Sequence, residues 1–439
     1  MQKRIVGGDI SFEVDDGLIR ARGLPYASAS RFDAPEPAAA WAGVRDATRS
    51  GPVCPQRPSR LSFVTGPVLG DLVFDEDCLV VSVTAPDDAA GLPVMVWFHG
   101  GAYVAGGGES PKYDGGALAR EGRVVVVTVT YRLGVFGYLA PPDADADPNL
   151  GLRDQIDALR WVRDNIAVFG GDPDDVTIFG QSAGGDSVLA LLLCDDAVGL
   201  FHRAIAQSAP LGIGTQNSDV AADRAAMASA LQDAMAESLA GTAARDASRA
   251  QLLTAEGAAV EAAQGFGMLG GMAFAPLLGR GPLPTAAEVP DRIAAAAGRV
   301  ELLIGHTKDD AAPFVAMDSR IKTLGVLKAA ERLAIKAIAP AITQRMFGGL
   351  VEPFAATWRA HGGRASTYRF DWSPSDAPLG ACHCMELPLL FESGDVWADA
   401  PMLGASGAID RALAERVRAL WSGFAHRGVE GLAATTQIT

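Results

Sequence analysis

Cysteine is scarce in this 439-residue chain: there are five, at 54, 78, 194, 382 and 384. An odd number this small excludes a disulfide scaffold. No run approaches the roughly 18 consecutive apolar residues of a membrane-spanning helix, and the opening MQKRIVGGDI lacks an apolar stretch of signal-peptide length. Positive charge is also short. Against 52 acidic residues stand 37 basic ones, a formal charge of −15, which argues against nonspecific attraction to nucleic acid or anionic membrane. The expectation is therefore a cytoplasmic protein with neither a nucleic-acid nor a membrane partner. What remains, 49% hydrophobic and 20% charged, is an ordinary globular composition with enough apolar material for a large core.

What is present is alternation. DCLVVSVTAP (77–86), PVMVWFHG (93–100), GRVVVVTVTYR (122–132) and DVTIFG (175–180) are β-rich runs bounded by Gly, Pro or Asp. Between the last two, Leu152, Ile156, Leu159, Val162 and Ile166 recur at helical spacing. Strands alternating with such helices predict an α/β fold with a largely parallel sheet, and unbroken Val124 to Val127 suits a strand covered on both faces. The sheet is expected to resume at VELLIG (300–305) and STYRFD (366–371), and a C-terminal helix to turn Leu413, Val417, Leu420 and Phe424 inward. One domain over 1–439 is expected, with helical insertions at about 211–298 and 318–362, the second broken at Gly348 and Gly349. The Ala-rich first insertion reads equally as a lid over substrate or as helical filler.

The stretch TIFGQSAGGDSVL (177–189) asks for chemistry. Gly180 and Gly184 fence Ser182 where a strand gives way to a helix, and a sharp elbow there forces the apex residue to positive φ while leaving no room for flanking side chains. Such an elbow lifts a serine hydroxyl out of the fold. A glycine-rich turn without function would share the pattern.

Ordered motifs narrow the choice. EDCL (76–79), PVMVWFHGGAY (93–103), YRLGVFGYL (131–139), NLGLRDQ (149–155), FGGDPDDVTIFGQSAGG (169–185), LFHRAIAQSA (200–209) and YRFDWSPSDAPLGACHCMELPLLF (368–391) together resemble the type-B carboxylesterases. That is the carboxylesterase/cholinesterase branch of the α/β-hydrolases, and the flavour is that of bacterial para-nitrobenzyl-type esterases. The resemblance implies an α/β-hydrolase fold and a small-molecule ester substrate, with no metal or organic cofactor. Ser182 would be the nucleophile and His383, before MELP, its base. The family's catalytic glutamate falls on Asp310, with Asp309 as the competing acid. Backbone amides of Gly101, Ala102 and Ala183 would form the oxyanion hole. The other histidines are set aside: His99 is expected to shape the HGGAY loop and His426 to be solvated on the last helix.

Departures from the family pattern are Asp for Glu at 310, Ala311 for glycine, Pro210 after QSA and Cys384 after His383. Cys384 adjacent to the base suggests that bulky thiol reagents should slow turnover. A metal reading of CHC (382–384) fails for want of partner ligands at zinc-like spacing. Cys54 and Cys78 match a pair bridged in some secreted relatives and are expected as thiols in a reducing compartment. Two other functions remain open: amide or carbamate hydrolysis by the same residues, and a noncatalytic binding role, which the presence of both Ser182 and His383 disfavours.

Overall fold

The valine runs become strands sealed on both sides. The computed structural model describes residues 1–210, 218–323, 328–391 and 395–439. Among them, ten strands form one sheet. In chain order these are β1 (Glu13–Asp15), β2 (Leu18–Pro25), β3 (Val80–Pro86), β4 (Leu92–Phe98) and β5 (Val125–Val129). They continue as β6 (Gly171–Gln181), β7 (Arg203–Gln207), β8 (Glu301–Thr307), β9 (Ala365–Phe370) and β10 (Thr435–Ile438). Their spatial order is β10-β9-β8-β7-β6-β4-β5-β3-β2-β1. Neighbours from β5 through to β10 are parallel, and β3, β2 and β1 add an antiparallel edge. With its flanking helices this is the α/β-hydrolase architecture.

Side chains alternate across the central strands into two separate cores. Val94, Val96 and Phe98 of β4 join one, whereas Met95 and Trp97 join the other. A sheet with an apolar layer on each face needs such continuously apolar strands.

Six helices matter for the site: α1 (Leu150–Asn165), α2 (Ala183–Leu191), α3 (Ser218–Leu239), α4 (Arg249–Ala262), α5 (Lys328–Met346) and α6 (Arg411–Arg427). The predicted stripe of α1 is buried, and Ile166 extends it just beyond the helix. In α6, Leu413, Val417 and Phe424 face inward as expected, but Leu420 is only half-buried and Trp421 occupies the core instead. The larger indole sits one position on along the 3.6-residue period and covers more apolar area. An Asp410 side chain caps α6 by accepting from the Leu413 amide at 2.9 Å.

Residues 211–217 of the first expected insertion lie outside the described residues; its remainder carries α3, α4 and a helix at Val289–Ala297. A capping box starts α4, with Ser248 and Gln251 satisfying each other's backbone amides. In the second stretch, Ser319–Lys322, α5 and a helix at Val351–Ala360 are separated from one another, the last two by a 3₁₀ turn at Gly348–Leu350. Residues 324–327 there lie outside the described set. No helix among the described residues is long and apolar enough to cross a membrane.

Candidate active site

The C-terminal ends of parallel strands gather the nominated residues, the position where open α/β sheets expose loops to ligands. Ser182 stands between β6 and α2 with φ 58° and ψ −123°. A non-glycine residue holds that conformation only when its surroundings fix it. Here the Ser182 amide donates to the Gln207 carbonyl at 2.8 Å, and the Ser182 carbonyl accepts from Asp186 at 2.9 Å. A Cβ on Gly184 would collide with the carbonyl oxygen of Phe98, which accounts for glycine two residues beyond the serine.

His383 lies in the loop after β9, and both its side chain and that of Asp310 are fully buried. Their Nδ1 and Oδ1 atoms are 2.5 Å apart. Asp310 Oδ2 also accepts from the Thr307 amide at 3.1 Å. A carboxylate accepting at both oxygens makes Nδ1 the protonated nitrogen and leaves the lone pair on Nε2. Nε2 meets Gln181 Nε2 at 3.1 Å, and Gln181 Oε1 accepts from Cys384 Sγ at 3.4 Å. Thiol, amide and imidazole therefore interlock in one assignment of the protons.

The Ser182 hydroxyl makes no hydrogen bond among the described residues, and the imidazole Nε2 faces Gln181. A buried ring nitrogen needs a partner, and the neighbouring Gln181 amide supplies one. Hydrogen bonds between nucleophile and base commonly tighten only once substrate arrives.

Asp309 points elsewhere. Its Oδ2 accepts from the Ala381 amide at 3.0 Å and its own amide donates to the Ala381 carbonyl at 2.9 Å, pinning the loop that carries His383. The imidazole packs against Phe314 and Phe347, with ring centroids at 5.2 and 5.3 Å. Beneath lies Glu386, whose carboxyl is pushed up to about 7 by burial. Gln207 Nε2 donates to Glu386 Oε1 at 3.1 Å while Trp421 donates to Gln207 Oε1 at the same distance. Because the Gln207 carbonyl also receives the Ser182 amide, one residue links the elbow to the floor under His383.

The amides of Gly101, Ala102 and Ala183 make no hydrogen bond among the described residues. Gly101 has φ 124° and Ala102 φ 56°, and the Gly101 carbonyl accepts from both Val104 and Ala105 at 3.1 Å, folding the loop back on itself. Ala183 opens α2, whose first-turn amides have no helical acceptor. Tyr103 Oη donates to Asp186 Oδ2 at 2.9 Å, so the glycine loop is tied to the helix that supplies the third amide.

His99 is buried, stacks on Tyr131 at 4.4 Å and has its pKa lowered to about 4 by burial. It is a neutral packing residue beside the loop. His426 is exposed on α6, with Nε2 2.9 Å from the Gly122 carbonyl. All five cysteines are buried thiols, and the neighbouring Cys54 together with burial pushes the Cys78 thiol well above its ordinary range. Burial pushes the Cys384 thiol well above its usual range, so the expected sensitivity to bulky thiol reagents is reversed: a shielded, protonated sulfur is a poor nucleophile.

Comparison with known proteins supplies the lineage. The profile described as the Carboxylesterase family matches residues 4–336. The chain belongs to that family. It is an ester-hydrolysing enzyme by membership. Among curated relatives, it is 40% identical over 422 residues to a probable N-octanoylanthranilate hydrolase of Rhodococcus erythropolis, covering 92% of this chain and 88% of the relative. It is 38% identical over 418 residues to the para-nitrobenzyl esterase of Bacillus subtilis, covering 88% and 82%. The phenmedipham hydrolase of Pseudarthrobacter oxydans is 33% identical over 441 residues, covering 90% and 83%. A solved para-nitrobenzyl esterase superposes with a TM-score of 0.80 at 34% identity, over 97% of this chain and 90% of the other.

Sequence reasoning missed Gln181, Phe314, Phe347 and Glu386. Gln181 was within reach, being the variable position of the elbow motif next to the nucleophile. The two phenylalanines carry no local signal, because they approach His383 from separate segments only in three dimensions.

Proposed function

We propose that the chain is a serine carboxylic-ester hydrolase acting on small to medium esters through Ser182, His383 and Asp310. The observation that carries this reading is the 2.5 Å contact of buried Asp310 with His383 Nδ1, which leaves a basic Nε2 facing the residue next to Ser182. When substrate enters, His383 exchanges Gln181 for the Ser182 hydroxyl and takes its proton as the oxygen attacks the ester carbonyl. Gly101, Ala102 and Ala183 amides receive the oxyanion, each such donor being worth roughly 2.7–4 kcal/mol of barrier. His383 protonates the departing alcohol, then activates water to release the acid and restore the serine. Asp310 holds the tautomer and favours the transient imidazolium.

A second reading has a specific support. One relative is named a probable N-octanoylanthranilate hydrolase, a name built on an N-acyl compound, which favours an amide substrate for the same residues. Purified protein should be tested on matched p-nitrophenyl esters, carbamates and p-nitroanilides. Ester turnover that dominates and disappears in Ser182→Ala supports the first reading. Dominant anilide turnover would favour the second, and equal ester turnover by Ser182→Ala would refute both.

A further inference from the structure

A cavity of about 300 Å³ lies between α3 and the segment around Leu277 to Arg280. Its walls include Leu139, Ala221, Ala225, Ala228, Leu277 and Leu278, together with two arginines, Arg224 and Arg280. Arg280 is exposed, whereas Arg224 is only 6% exposed. Buried arginines in this chain otherwise have carboxylate partners: Arg132 is paired in bidentate fashion with Asp154, and Arg418 with Glu121. Arg224 has none. Its Nη1 donates to the Met272 carbonyl at 3.3 Å, its Nε finds no partner, and neither it nor Arg280 makes an ion pair among the described residues. Burial holds the Arg224 pKa below its ordinary value, outweighing the opposing pull of Asp186 and Tyr103.

A desolvated guanidinium is costly unless an anion and further hydrogen bonds offset the loss of water. Asp186 lends some attraction from a distance, but no carboxylate among the described residues forms an ion pair with Arg224, and the residue lines a cavity large enough for a small ligand. We propose that this cavity binds a small organic carboxylate, with Arg224 as the buried anion-binding group and Arg280 at the mouth. A guanidinium fork matches a carboxylate in planar geometry. Apolar walls select an acid with a hydrocarbon body over an inorganic anion, which would leave alanine and leucine surface unfilled. Gln232, whose Nε2 is 3.1 Å from the Ala140 carbonyl, adds a polar group to the lining without adding charge. The site does not use Ser182, so it stands or falls separately from the hydrolytic reading.

Calorimetric titration of the full-length protein with benzoate tests it, using benzamide as the neutral isostere and inorganic phosphate as the competing anion. Saturable benzoate binding is expected in wild type and unchanged in Ser182→Ala. Benzamide should bind about tenfold more weakly or worse, the scale of one charge-assisted hydrogen bond. Arg224→Met should weaken benzoate by a similar factor while unfolding no earlier on heating, since it removes a buried charge that has no ion-pair partner among the described residues. Arg280→Gln should weaken it less. The proposal is overturned by an absence of saturable benzoate binding, by benzamide or phosphate binding as tightly as benzoate, or by benzoate affinity that survives Arg224→Met. Should Arg224→Met fail to fold, the three ligands on wild type still decide the matter.

Discussion

At the scale of single residues, two adjacent aspartates divide two tasks. Asp310 is buried against His383, whereas Asp309 ties down the backbone of the loop that carries it. Asparagine at 310 keeps the shape but loses the charge that favours the imidazolium, a change worth about 10⁴ in rate in the serine-protease precedent. Turnover of p-nitrophenyl acetate should therefore fall by orders of magnitude in Asp310→Asn and only slightly in Asp309→Asn, while Asp310→Glu retains substantial activity. A crippled Asp309→Asn beside an active Asp310→Asn would place the acid in the wrong residue. Gln181 supplies a second expectation. Its amide lies 3.1 Å from His383 Nε2, so Gln181→Glu sets a negative charge beside the base and should move the acidic limb of the kcat/KM profile up by about one pH unit. An unmoved limb would mean that Gln181 leaves the imidazole before substrate binds. At Cys384, burial predicts that bulky maleimides leave the folded enzyme's rate nearly unchanged over minutes.

At the scale of elements, the elbow and the inserted helices make opposite demands. Gly184→Ala drives a methyl into the Phe98 carbonyl, so it should cost roughly 3 kcal/mol in chemical denaturation and impair activity with it. Glu256 of α4 reaches down to accept from the Val135 amide at 3.0 Å, and burial pushes its carboxyl from 4.5 up to about 7. The folded state thus keeps a proton that the unfolded chain gives up, and stability must fall as pH rises between those values. Glu256→Gln keeps an acceptor without the ionisation, so between pH 4.5 and 7 it should gain on the order of 3 kcal/mol relative to wild type. Parallel pH–stability curves for the two proteins would contradict this. The strands, α1 and the elbow were legible because period, bounding glycines and proline-free valine runs are local signals. The partial exposure of Leu420 and the Glu256 contact were not, because each depends on which distant surface the helix meets.

At the scale of the whole molecule, the mostly parallel sheet and its family were readable from ordered motifs, and the strand ends bring 101–102, 182–183, 310 and 383 into one region from four separate stretches of chain. The arrangement around the imidazole was less readable. Gln181, Phe314 and Phe347 contact His383 through side-chain directions that no spacing rule encodes, and the cavity at Arg224 exists only once α3 is packed. The central claim is that this gathered region makes Ser182 a nucleophile. Intact-mass and peptide analysis after a brief treatment with an organophosphate tests it most directly. The account predicts one phosphoryl adduct on wild type, mapped to Ser182, and none on folded Ser182→Ala; an adduct at another residue, or an equal adduct on the variant, would contradict it.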